Sequence, residues 1–256
     1  MKSSKKTDDR LYLYGLHAVR AALANPRRKI NNLLIALPSE HAYRRILEED
    51  LAENPLPPHV SETTRGHLES LVGKAAVHQD IVAFVKPLPN EDVRTCLGAG
   101  EGPLPPVALL DQVTDPHNIG AVLRSAAAFG LGAVITAARH SPGESGLIGR
   151  VSSGGLDVVP WLRVRNLGQA CETLLDMGYE LTGFAREATE ILRPATFSSG
   201  QPQALLLGSE GEGLREKTRG LCTRLVHLPT RPPIQDLNVS NAAAIAFYAL
   251  GQSQSA

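Results

Sequence analysis

The chain has 256 residues, 43% hydrophobic and 20% charged, with 26 Lys+Arg against 26 Asp+Glu. Such a make-up suits one large or two medium globular domains, each burying its own core, and excludes global disorder and a bilayer-spanning apolar run. The balanced charge carries no overall signature of nucleic-acid binding, and the polar, lysine-rich opening Met1–Arg10 lacks the apolar core of a secretory signal, so the cytoplasm is the expected compartment.

In chain order, residues 1–10 read as a flexible tail. "LYLYGLHAVRAALANP" predicts a short strand, a turn at Gly15 and an amphipathic helix that stops before Pro26. "INNLLIA" reads as a strand, "AYRRILEEDLAE" as a helix, "HVSE" as a short strand, "TTRGHLESLVG" as a helix opened by a threonine cap, and "DIVAFVK" as a closing strand. These elements form a small α/β domain over residues 11–86. Residues 87–106, rich in Pro and Gly, form a linker with some helix around Glu91 to Leu97.

The second domain, residues 107–256, alternates the strand-like runs "VALLD", "AVITA", "DVVPW", "ELTGFA", "ALLLG" and "RLVHLP" with helical stretches. Short continuous apolar runs of this kind predict a parallel sheet covered by helices, with ligands gathering at the carboxyl ends of the strands. The widely spaced Cys96, Cys171 and Cys222 are expected as reduced thiols, and eight histidines without HxH, HxxxH or HExxH spacing imply no metal site. The basic runs at Lys2, Lys5 and Lys6, at Arg27-Arg28-Lys29 and at Arg44-Arg45 read as solvated surface before they read as phosphate contacts.

Three loops carry unusual polarity. In "DQVTDPHNIGAVLRSAAAFG" a helix from about Ile119 bears Arg124 among small residues, Ala121, Ser125 and Ala126. Arg124 either faces a ligand or does something plainer, pairing with a carboxylate or reaching solvent along its aliphatic stem. In "ALLLGSEGEGL" the Gly208-x-x-Gly211-x-Gly213 spacing is neither the GxGxxG fingerprint nor a P-loop, and Gly-Ser-Glu-Gly is not a nucleophile elbow. Glu210 and Glu212 would repel a pyrophosphate, which disfavours a nucleotide-dependent dehydrogenase and suits a neutral or cationic ligand. A glycine-rich turn is the plainer alternative. In "VHLPTRPPIQDLNVSNAAAIAFYAL" an irregular stretch leads into an Ala-rich helix that Ser240 or Asn241 can cap.

In this order and spacing, Asn118-Ile-Gly120 through Arg124-Ser125-Ala126, Leu207-Gly208-Ser-Glu210-Gly-x-Gly213, and Leu228-Pro229 through Leu237-Asn238-Val239-Ser240-Asn241-Ala242 resemble the three motifs of the SpoU/TrmH (SPOUT) family of RNA ribose 2'-O-methyltransferases. The resemblance covers essentially residues 11–251. "YGLHAVRAAL", "HQDIVA", "SSGGLDVVP" and "RVRNLGQA" are similar to the bacterial group that methylates a guanosine in the P-loop of 23S rRNA; tRNA-acting members are the nearest alternative, and a non-catalytic RNA-binding or ribosome-assembly protein is a second class.

The resemblance implies an α/β fold: a C-terminal trefoil-knotted methyltransferase domain with a parallel sheet, preceded by a small L30e-like domain that binds RNA. It also implies S-adenosylmethionine as cofactor and a homodimer packed through the knotted domain. Residue by residue it implies Arg124, Asn118 and Glu210 as catalytic and Gly208, Leu228, Leu237 and Asn238 as cofactor-binding. The chain departs from the family pattern where Asp236 replaces the usual serine, where "TRPPIQ" lacks a glycine, and where Asp80 replaces a common glycine.

Overall fold

The computed structural model describes residues 11–36, 59–98, 102–139, 141–197, 200–233 and 236–254. The expected helix over "AYRRILEEDLAE", the lysine-rich tail and Arg44-Arg45 lie outside them. Contacts divide the chain into two compact units, Met1–Pro89 with Glu144–Asp157, and Asn90–Gly143 with Val158–Ala256.

The first unit holds a four-stranded sheet in the order β1 (Leu11–Tyr14), β4 (Ile81–Val85), β2 (Ile30–Ala36), β3 (Val60–Thr63). The β1–β4 and β2–β4 pairs are antiparallel and β2–β3 is parallel. Helix α1 (Leu16–Ala24) starts after Gly15, whose φ of 86° is a left-handed turn that glycine adopts without strain. Helix α2 (Arg65–Val72) is opened by Thr64, whose hydroxyl accepts from the His67 N–H at 3.2 Å. Asp80 takes a left-handed φ of 62° and pairs with Arg65 at 2.7 Å. That accounts for a position suited to glycine: aspartate is among the few other residues that adopt this conformation.

Helix α3 (Val93–Gly98) precedes the second unit's sheet, in which seven strands run parallel. Its order is β7 (Trp161–Val164), β6 (Ala133–Ala137), β5 (Val107–Asp111), β10 (Gln203–Gly208), β8 (Glu180–Phe184), β11 (Arg224–His227), β9 (Glu190–Ile191). Every pairing along it is parallel. Strands β5 and β6 are buried throughout and β10 up to Leu207, which is why they read as unbroken apolar runs; Leu109, Ile135 and Leu206 share one core cluster. Each such side chain contributes about 1.5–3 kcal/mol of burial free energy.

Three readings are corrected. Helix α4 runs Pro116–Ala128, starting earlier than Ile119, because Asp115 caps it by accepting from the His117 N–H at 2.9 Å and Pro116 supplies a preset φ. The run "DVVPW" is not a strand from Asp157. After α5 (Gly146–Val151) comes a short helix α6 (Gly155–Val158), begun where the buried Ser152 hydroxyl accepts from the Leu156 N–H at 3.2 Å, and β7 starts only at Trp161, with helix α7 (Leu167–Asp176) following it. Third, Arg28 is not surface: its side chain is 0% exposed and bonds Glu144 and Asp157, each at 2.7 Å. Asn25 adds a bond to Asp157 at 3.2 Å. All of these groups belong to the first unit, so the Glu144–Asp157 segment is fastened to it by a buried ionic network.

Candidate active site

Parallel strands that end together present their following loops at one edge of the sheet. In the second unit the ends of β8, β10 and β11 surround a cavity of about 560 Å³, within the range of small-molecule and cofactor sites. Gly208, Glu210, Leu228, Leu237 and Asn238, five of the seven residues singled out from the sequence, line it.

Gly208 ends β10 opposite Asp111, the last residue of β5. The chain then folds back so that the Gly213 N–H donates to the Ser209 carbonyl at 3.0 Å, with Gly211 and Gly213 at φ of 85° and 69°. A Cβ on Gly208 would sit 2.0 Å from the Gly213 carbonyl carbon, so only glycine lets the loop close on the strand. Asp111 holds the far side: it is 1% exposed and accepts from the Arg215 backbone N–H at 3.2 Å and from the Arg215 guanidinium at 2.8 and 2.7 Å. The sequence reading missed this pair; a lone carboxylate closing the apolar run "VALLD" was its only local signal.

Asn238 is the hub. Its Oδ1 accepts from the Ser240 N–H at 2.9 Å and from the Ser240 hydroxyl, and its carbonyl accepts from the Asn241 and Ala242 N–H groups at 3.0 Å. Asn238, rather than Ser240 or Asn241, therefore caps helix α9 (Val239–Gln254). Its Nδ2 is free to point elsewhere, donating to Asn118 Oδ1 at 2.9 Å and to Glu210 Oε1. Asn118 Nδ2 also donates to Glu210 Oε1, at 3.3 Å. One carboxylate oxygen thus takes two amide donors, which fixes the side chain and leaves Oε2 for a ligand.

Arg124 stands apart. It projects from α4 exposed, with no hydrogen bond or ion pair among the described residues, and does not line the cavity. Among the described residues it pairs with no carboxylate. Near the cavity, Arg186 pairs with Asp236 at 2.8 Å and Arg219 with Glu187. The backbone N–H of Glu187 itself, and then the Arg219 guanidinium, hold the Glu187 carboxyl below its ordinary value. Four carboxylates, Glu187, Glu210, Glu212 and Asp236, against two arginines suit a cationic or zwitterionic ligand and repel a polyphosphate.

None of the three cysteines is joined in a disulfide, and burial raises Cys171 to about 12 and Cys222 to about 11. Neither is a nucleophile at neutral pH. Among the described residues no group of three or more His, Cys, Asp or Glu could hold a metal ion, and no helix is long and apolar enough to cross a membrane.

Against this geometry, the SpoU rRNA methylase family model matches residues 105–248, and a model for RNA 2'-O ribose methyltransferase substrate binding matches residues 12–91. The chain belongs to the SpoU rRNA methylase family. It is 35% identical to the 23S rRNA (guanosine-2'-O-)-methyltransferase RlmB of Vibrio parahaemolyticus, over 93% of this chain and 94% of that one. The RlmB of Photobacterium profundum is 36% identical over 92% and 95%. Among solved structures, the SpoU methyltransferase AviRb from Streptomyces viridochromogenes in complex with AdoMet superposes with a TM-score of 0.79 at 25% identity, covering 97% of this chain and 91% of that one. As a SpoU family member the chain thus shares its α/β architecture and parallel sheet with a solved methyltransferase.

Proposed function

We propose that this chain transfers the methyl group of S-adenosylmethionine to the ribose 2'-hydroxyl of a guanosine in 23S rRNA, with the P-loop of that RNA as the site. The observation that carries the reading is the near full-length similarity to RlmB enzymes, joined to a cavity lined by five of the seven implied residues.

The cavity's donor set fits the cofactor: carboxylates for a sulfonium cation, and loops opened by Gly208 for a flat nucleoside. Gly208, Leu228, Leu237 and Asn238 would hold it. When bound, it supplies an electrophilic methyl group. The chain's own residues must then orient the hydroxyl and handle its proton, because a ribose hydroxyl is a weak nucleophile with a very high pKa. A guanidinium offers five donors and no acceptor, so the easier role for Arg124 is to stabilise the emerging alkoxide and clamp a neighbouring phosphate. Its exposure, with no hydrogen bond or ion pair among the described residues, supports this assignment, since RNA oxygens would find the guanidinium unengaged. Asn118 and Asn238 keep Glu210 aimed, and Glu210 positions the target nucleotide.

The same reading includes the knotted threading of the C-terminal segment, action in the cytoplasm and a homodimer. Exposed apolar side chains on the second unit support the dimer: Phe129, at the end of α4, stacks edge-on with Tyr248 of α9 at 6.3 Å, and Ile245 lies exposed nearby in sequence. Nucleoside mass spectrometry of 23S rRNA and tRNA from cells with and without the protein tests the whole. Loss of 2'-O-methylguanosine from 23S rRNA is expected. Loss from tRNA alone would overturn the substrate, and no loss from either would leave a non-catalytic RNA binder.

A further inference from the structure

Asp236 stands where the family pattern has serine, and it is engaged: Arg186 Nη1 donates to Asp236 Oδ2 at 2.8 Å. The two residues come from different chain segments that line the cavity. Arg186 follows the end of β8 by two residues, in a turn whose first residue, Ala185, still donates its N–H to the Val226 carbonyl of β11 at 3.0 Å. Its neighbour Glu187 pairs with Arg219, the last residue of helix α8 (Glu216–Arg219), so this turn is held from two sides. Asp236 lies on another lining segment, immediately before Leu237 and two residues before Asn238, the cap of α9.

We propose that Arg186 and Asp236 form a charge clip that holds the Leu237 segment in register for the adenosine end of the cofactor, making both of them positioning residues. The inference rests on the reading of the cavity as the cofactor site. Asn238 is fixed by its cap and by its bonds to Asn118 and Glu210, but those bonds act on the helix side of Leu237. The Arg186–Asp236 pair supplies a second anchor on the other side, from a turn that is itself tied down. A serine cannot reach an arginine with a full charge, so the aspartate and Arg186 form a matched pair. Both side chains are about 60% exposed, 61% and 62%, so the clip is modest and salt-sensitive.

The test uses the full chain, isothermal titration with S-adenosylhomocysteine and with methylthioadenosine, which lacks the amino-acid end, and steady-state kinetics. Arg186→Ala and Asp236→Ala are each expected to weaken both ligands about two- to fivefold at low salt, and to raise the KM for S-adenosylmethionine more than they lower kcat. In ~1 M NaCl, where screening acts within ~3 Å, the difference from the parent chain should shrink. The charge-swapped double variant, Arg186→Asp with Asp236→Arg, should recover most of the affinity. Unchanged affinities in both single variants, or a swap no better than they are, would overturn the clip. So would weakened S-adenosylhomocysteine binding with methylthioadenosine untouched, since that places Arg186 on the amino-acid end directly. Failure of the parent chain to bind either ligand would instead overturn the cavity reading, and the clip with it.

Discussion

Gly208→Ala perturbs the site at the point where its backbone is tightest. The added Cβ would lie 2.0 Å from the Gly213 carbonyl carbon, 2.2 Å from its oxygen and 2.4 Å from the Leu214 nitrogen. All three are backbone atoms, so no side-chain rotation relieves the clash. Ordinary contact begins at 3.4 Å, which requires a displacement of about 1.4 Å. That motion breaks the Gly213–Ser209 hydrogen bond and drags Glu210, while the buried Asp111–Arg215 pair resists it from the other end. Overpacking costs about 1–3 kcal/mol and the lost bond about 0.5–1.5 kcal/mol, so unfolding free energy should fall by about 1.5–4.5 kcal/mol. If about 1.4 kcal/mol of the distortion falls on the bound state, affinity for S-adenosylhomocysteine drops at least about tenfold. Chemical denaturation and isothermal titration on the same preparation read both quantities. An alanine variant with the parent's denaturation midpoint and ligand affinity would refute the argument that this loop admits only glycine.

Other consequences follow from the same contacts. Arg28→Ala leaves the Glu144 and Asp157 carboxylates without their buried partner, and should cost about 3–5 kcal/mol in denaturant unfolding; a loss under about 1 kcal/mol would mean the network is not a structural fastening. Asn238→Ala removes the cap of α9, for about 0.5–2 kcal/mol of stability, and also releases Glu210, so turnover should fall even at saturating cofactor. Burial raises Cys171 to about 12, Cys222 to about 11 and Tyr179 to about 12, against ordinary values of 9.0 for a thiol and 10.0 for a phenol. The folded state therefore binds these protons more tightly, and their contribution is complete below pH 9 and lost as pH rises toward about 11–12. Denaturation midpoints should decline between pH 9 and 10.5, and in native protein at pH 8 an alkylating reagent should spare Cys171 and Cys222, as mapped by peptide mass spectrometry.

Local chemistry made much of the fold readable. Thr64 announces its helix, and the buried strands of the large sheet announce themselves as apolar runs because successive residues of β5 and β6 are all buried. What stayed hidden depends on distant partners. Arg28 sits in a basic triplet that looks the same whether solvated or buried, and its carboxylates lie 116 and 129 residues away. The Asp111–Arg215 pair spans 104 residues. "DVVPW" has the composition of a strand, yet the Ser152 hydroxyl begins a helical turn there and Asp157 is drawn to Arg28 and Asn25. At the site, the motif spacing marked Gly208, Glu210, Leu228, Leu237 and Asn238, and the sheet's parallel ends bring them to one cavity. Asn238 as cap was obscured by two better-placed candidates downstream, Ser240 and Asn241. Arg124 is a different case: its residue type and neighbours make it conspicuous, but it is exposed and no described side chain engages it, so the contacts within the described residues assign it no role.

The most direct test of methyl transfer uses purified protein, unmodified 23S rRNA and S-adenosylmethionine, followed by digestion to nucleosides and mass spectrometry, with Arg124→Ala run in parallel. 2'-O-methylguanosine is expected from the parent chain and none, or a trace, from the variant, which should still bind S-adenosylhomocysteine. A parent chain that binds the cofactor yet leaves every ribose unmethylated would contradict the enzyme reading, and equal yields from both proteins would remove Arg124 from the mechanism.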